Sequence, residues 1–108
     1  MPQSAFKTLY RGQLGNSVAT LATVGAGKSW IMKHISVVNN DSSDHTFALY
    51  RNGTTAAFIF TPPLMSVVAG GMQEFTGTLA LEAAGTVAGG ADVAAKLTVI
   101  IDGDEVTA

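Results

Sequence analysis

Two stretches of this chain alternate apolar with small or polar residues at a period of two, and no segment sustains the 3.6-residue period of an amphipathic helix. In one, Val93, Ala95, Leu97, Val99 and Ile101 share a face opposite Ala94, Lys96, Thr98, Ile100 and Asp102. In the other, Phe75, Gly77, Leu79 and Leu81 alternate with Thr76, Thr78, Ala80 and Glu82. Successive side chains of a strand point to opposite sides of the sheet. Each stretch is therefore predicted to be a strand with one core-facing side, and together they anchor an antiparallel sheet with one buried face.

Three further regions extend the pattern. Thr46 to Arg51 and Thr54 to Thr61 flank Asn52-Gly53, a dipeptide that tolerates the positive φ of a two-residue hairpin turn. Phe47 and Leu49 would share one face, as would Ala56, Phe58 and Phe60, with Tyr50 and Ile59 opposite; Pro62-Pro63 would end the hairpin because proline cannot donate to a ladder. Ser29 to Asn39 reads as a long strand left through the polar turn Asn39 to Asp44. Its odd positions hold Ile31, Lys33, Ile35 and Val37, and its even positions Trp30, Met32, His34, Ser36 and Val38. Neither parity is polar, so either a bulge switches register or one face is core and the other is covered by a neighbouring subunit.

Ser17 to Val24 makes a short strand, and Phe6 to Tyr10 an edge strand or arm within residues 1–16. Gly70-Gly71 and Gly89-Gly90 mark turns. The tract from Leu81 to Ala91 has helix-forming alanines, but Gly85, Gly89 and Gly90 oppose a helix at roughly 1 kcal/mol each; it is expected to be a loop with a short strand at Thr86 to Ala88. About seven or eight strands at such spacing predict an all-β, antiparallel β-sandwich, jelly-roll-like, in a single domain over residues 1–108.

Composition narrows function. With 6 Lys and Arg against 8 Asp and Glu, the net charge of -2 supplies no broad footprint for nucleic acid or anionic lipid. Charged residues are only 13% of the chain and hydrophobic ones 47%, so part of the surface is expected to face another chain. Without cysteine, disulfides, thiolate catalysis and Cys-bearing zinc sites are excluded. No basic segment followed by an apolar run opens the chain, and no apolar stretch is long enough to span a bilayer, so a soluble intracellular product is expected, one that self-assembly would also suit.

Chemical motifs are weak. Gly25-Ala26-Gly27-Lys28-Ser29 suggests a phosphate loop, but such a loop needs glycine where Ala22 stands and a helix where a strand pattern follows; an ordinary glycine turn into a strand is expected. Asp102-Gly103-Asp104-Glu105 lacks the full ligand series of a calcium loop and reads as a solvated turn, as do Asp41 and Asp44. His34 and His45 lack the company that metal binding or acid–base catalysis needs, and read as surface or interface groups. Trp30, Tyr10, Tyr50, Phe47, Phe58, Phe60 and Phe75 are assigned mainly to core packing, since only Lys28, Lys33 and Arg51 would flank a stacking platform for nucleic acid. Trp30 and Tyr50 are also candidates for a subunit interface, where large aromatics are enriched.

The run from Leu21 through Thr23-Val24-Gly25-Ala26-Gly27 to Trp30, followed by Ile35-Ser36-Val37-Val38-Asn39, resembles a signature of small β-sandwich virion proteins of tailed bacteriophages. Gly25 stands where proline is usual, which makes the turn less rigid. Phe47 to Tyr50, Leu81 to Gly90 and Leu97 to Glu105 resemble the later strands in order, with Thr86 where an acidic residue is usual.

The resemblance implies a non-enzymatic structural protein, with no cofactor and no catalytic or metal-binding residues. The expected role is a capsid decoration or stabilising protein acting through oligomeric contacts; the alternative is a tail- or fibre-associated module binding a glycan or host surface. Expected partners are copies of itself and the major capsid protein or other virion proteins, without specific nucleic acid or membrane. The expected location is the virion, assembled in the bacterial host cytoplasm. Trp30, Met32, His34 and Tyr50 are the expected interface residues.

Overall fold

The computed structural model describes residues 3–54, 59–61 and 65–107. Within them the chain forms β1 (Gln3–Gln13), β2 (Ala19–Thr23), β3 (Lys28–Asn39), β4 (His45–Arg51), β5 (Met65–Val67), β6 (Met72–Leu81), β7 (Thr86–Ala91) and β8 (Leu97–Thr107). One sheet has the order β1-β8-β3-β6 and the other β2-β7-β4-β5. Every neighbouring pair is antiparallel. All connections except β4 to β5 cross between sheets, so the chain wraps around its own core as the two Greek keys of a jelly roll.

The alternation in β8 sends Leu97, Val99 and Ile101 inward, where they meet Trp30, Met32, Ile35 and Val37 of β3. From the other sheet, Phe47 and Leu49 of β4, Val67 of β5 and Val87 of β7 close the core. Phe47 and Phe75 meet across the layers edge to face, with ring centroids 6.3 Å apart, a geometry worth about 0.5–1.5 kcal/mol beyond area burial.

The mixed parities of β3 have a local cause. Its register against both neighbours shifts between Met32 and His34. Lys33 is the extra residue against β8, and the inward set moves from even positions (Trp30, Met32) to odd ones (Ile35, Val37). A bulge thus reconciles the strand within one chain, and no covering subunit is needed to account for its apolar residues. β1 carries a similar bulge between Thr8 and Tyr10.

Four other expectations are corrected. The last strand starts at Leu97; Ala95 is in the left-handed region at φ 61° and donates its N–H to the Leu14 carbonyl, so Val93 and Ala95 belong to the turn. Gly89 and Gly90 lie inside β7. There a Cβ on Gly89 would come within 2.7 Å of a Leu49 methyl, and one on Gly90 within 2.8 Å of the Ser17 backbone, so the pair permits close approach. Asp102 to Glu105 are strand residues of β8 and not a terminal turn. The return after β4 registers on Tyr50 opposite Ile59, with Phe60 N–H donating to the Leu49 carbonyl, which does not fit a two-residue loop at Asn52-Gly53. Asn52, at φ 62°, instead exchanges hydrogen bonds with the Thr86 backbone, fastening this turn to β7. The proposed packing of Ala56 and Phe58 and the stop at Pro62-Pro63 fall outside the described residues.

Candidate functional site

The strand registers define the outer face of the β1-β8-β3-β6 sheet row by row. Gln13, Thr98, Val38 and Met72 form one row; Arg11, Ile100, Ser36 and Glu74 the next. Past the β1 bulge, Thr8, Asp102, His34 and Thr76 form another, and past the β3 bulge as well, Phe6, Asp104, Ile31 and Ala80 form a fourth. Apolar, polar and charged side chains are interspersed on this surface. Phe6 is 66% exposed and Met72 51%.

Polar contacts tie these rows together. His34 Nε2 lies 2.9 Å from Glu74 Oε2, and its Nδ1 lies 3.9 Å from Asp102 Oδ2. Thr8 donates its hydroxyl to Asp102 over 2.8 Å, and Lys33 pairs with Asp104 at 2.8 Å. These exposed pairs each contribute modestly, about 0–1 kcal/mol, and chiefly fix side-chain positions.

The four expected interface residues do not gather on one surface. Trp30 is 7% exposed and Met32 1%, and both belong to the core of this chain. His34 is half-buried on the outer face just described. Tyr50 is half-buried on β4, in the other sheet, beside Ala88 and Ile59.

Two polar clusters at opposite ends of β3 were not anticipated. At its start, Glu105 lies opposite both Trp30 and Ala5. Its carboxylate accepts from the Trp30 indole N–H at 2.9 Å and pairs with Lys7 at 3.1 Å and Lys28 at 3.5 Å. The indole donor first, and then the two ammonium groups, hold the Glu105 carboxyl down at about 2. Glu105 faces the core side by the odd-numbered alternation of β8, and the register shift at Lys33 brings Trp30 and Lys28 to the same side; that shift has no sequence signature beyond the mixed parity of β3.

At the other end, His45 opens β4 with carboxylates at both ring nitrogens. Asp41 Oδ2 is 2.7 Å from Nε2, and Asp92 is 3.2 Å from Nδ1. Carboxylates at both nitrogens favour the doubly protonated ring, which donates to each. The hydrogen bond His45 donates to Asp41, then that to Asp92, raises the His45 pKa above its usual value, and the contact with Asp41 lowers the pKa of that carboxyl. Asn39 completes this end: its amide donates to the carbonyls of Ser43 and Val67, and its side-chain oxygen accepts from the Asp41 N–H. The i, i+4 spacing of Asp41 and His45 was visible in the sequence, but Asp92 joins them only through the fold.

An apolar cavity of about 230 Å³ opens between β3 and β6, lined by Met32, Ile35, Phe60, Phe75 and Leu79 among others. Its one charged lining residue, Lys33, is already paired with Asp104. Among the described residues no group of three or more His, Asp or Glu is arranged to hold a metal ion. Gly25 to Gly27 form a turn into β3, with Gly27 at φ 71°, and no helix follows for a phosphate to face.

Fold and surface together define, over the described residues, an antiparallel jelly roll of eight strands with a mixed apolar and charged outer face. No known protein family and no curated protein matches the chain. Among solved structures, that of infectious bursal disease virus Gx strain is similar at 13% identity over 98% of this chain, with a TM-score of 0.49. A pentameric capsid protein isolated from metagenomic phage sequences is similar at 16% identity over 95% of this chain, with a TM-score of 0.37. This chain spans 32% of the first of those chains and 65% of the second.

Proposed function

We propose that this chain is a non-enzymatic virion structural protein that decorates and stabilises a capsid through contacts with its own copies and with the major capsid protein. The strand order β1-β8-β3-β6 over β2-β7-β4-β5 carries the proposal, since double-sheet jelly rolls are a recurrent architecture of capsid domains. The resemblance of Leu21 to Trp30 and of the later strands to small virion proteins of tailed bacteriophages supports the same role. So does a surface poor in charge that leaves Phe6, Val18, Val68 and Met72 exposed. Such a protein needs no reacting group. Binding only to the assembled shell, it favours that shell by mass action, by about 2.7 kcal/mol per site when its free concentration is a hundred times its Kd.

Assembly would take place in the bacterial host cytoplasm and the product would reside in the virion. Electron microscopy of native particles, with the chain located in density, tests this. Ordered copies on the shell are expected. Particles that lack the chain, or that carry it only on tail or fibre, would overturn the decoration role.

A further inference from the structure

The β1-β8-β3-β6 sheet ends in two long edges of opposite charge. β1 carries Arg11 and Lys7, the latter paired with Glu105, and no acid, whereas β6 carries Glu74 and no cation. Among the described residues β1 pairs only with β8, and β6 only with β3. Backbone groups left open along an edge of this length form a template for a further strand. Pairing of β1 with β1 would bring cations together, and pairing of β6 with β6 would bring carboxylates together; like charges on facing strands are destabilising. Pairing of β1 with β6 joins opposite signs.

Direction and register agree with that choice. Strands alternate in direction across the order β1-β8-β3-β6, so a β6 placed beyond β1 in a continued sheet runs antiparallel to it. The rows from Gln13 to Tyr10 on β1 correspond, through β8 and β3, to Met72 to Phe75 on β6, and no bulge interrupts them. Continuing the sheet row by row sets Arg11 against Glu74 of the next copy and lays Gln13 beside its exposed Met72. Arg11 is exposed and makes no ion pair among the described residues; the Glu74 side chain is 49% exposed and contacts His34 through Oε2 at 2.9 Å, with Oε1 in no ion pair of the described residues.

We propose that copies of this chain join head to tail by strand addition, β1 of one pairing antiparallel with β6 of the next, with Arg11 facing Glu74. The contact is heterologous, so it generates a closed ring or an open filament and not a two-fold dimer. The inference deepens the structural role proposed above and rests on it for its setting.

The chain contains no cysteine, which makes the test direct. Within one chain, positions 11 and 74 lie three strand spacings apart, about 14 Å, beyond the Cα separation of about 7 Å that a disulfide can bridge. Mild oxidation of the full-length R11C/E74C protein is expected to give a ladder of linked oligomers, while R11C and E74C alone give none. In sedimentation, R11E and E74R should each weaken association by about tenfold, and R11E/E74R should recover it. Linked dimers from either single variant, or a monomeric wild-type protein with no ladder from the double variant, would overturn the pairing. A chain found on particles that forms no ladder defeats this interface and leaves the structural role standing; a ladder from a chain absent from particles does the reverse.

Discussion

The indole Nε1 of Trp30 donates to Oε2 of Glu105 across 2.9 Å, between residues directly opposite each other on β3 and β8. The only tryptophan of the chain is thereby packed into the core with its one polar atom satisfied. Lys7 and Lys28 reach the same carboxylate from β1 and from the start of β3, so one acidic side chain joins three strands at the end of the sandwich.

Trp30→Ala is expected to destabilise the isolated domain by about 3–5 kcal/mol, the range for emptying a large aromatic site. Trp30→Phe keeps most of the packing, removes the donor to Glu105 and should cost less. Urea unfolding followed by circular dichroism checks both, since the variants lose the single fluorescent indole. A wild-type-like midpoint for Trp30→Ala would show that this side chain is not part of the core.

Glu105 contributes stability that acid removes. Its folded pKa of about 2 lies below the ordinary value of 4.5, so its contribution is complete above pH 4.5 and is lost as pH falls from there towards 2. Glu105→Gln should be less stable than wild type at neutral pH, and the difference should shrink across this window. Thermal melts in acid buffers measure it.

His45 acts in the opposite direction. Its folded pKa is raised above 6.5, so its contribution is fully present below that value and is lost as pH rises through the folded pKa. Asp41 and Asp92 face the ring, and Lys96 acts on Asp41 from the turn before β8. Wild-type melting temperature should therefore fall on the alkaline side, whereas that of His45→Gln should be lower in mild acid and flatter with pH. Melts from about pH 5.5 to 9, with the ring protons followed by NMR, decide it.

Gly90→Ala places a methyl within 2.8–2.9 Å of the backbone of Ser17 and Val18, where no flexible side chain can yield. A loss of about 1–3 kcal/mol is expected from such overpacking. Gly15→Ala meets open space and should stay within about 0.5 kcal/mol of wild type. Comparing the two unfolding curves separates close approach from a general intolerance of losing glycine.

Strand content was legible wherever side chains report it. The alternation in β6 and β8 announced the sandwich, and the polar run from Asn39 to Asp44 announced the exit from β3. The features that remained hidden are those set by partners distant in sequence. Gly89-Gly90 looks like a turn until β2 and β4 close on either side of it, and Asp102 to Glu105 looks like a solvated end until Thr8, Lys33 and Trp30 supply its partners. Both polar clusters share this character: Glu105 and Asp92 lie 75 and 47 residues from Trp30 and His45. The double parity of β3 was seen at once, but both a bulge and an outside partner explain it locally, and only the registers of β6 and β8 choose between them.

The central position of β8 also has a consequence in time. Among the strands of the described residues it leaves the ribosome last, yet β1 and β3 both pair with it, and only through it do they meet in the sheet. At synthesis rates of roughly 5–20 residues per second, β1 waits about 5–20 s for its partner. Sheet-rich domains themselves fold in milliseconds to seconds. Until β8 emerges, β1 has no partner in its sheet and β3 has only β6, and the eleven residues of β8 join the two.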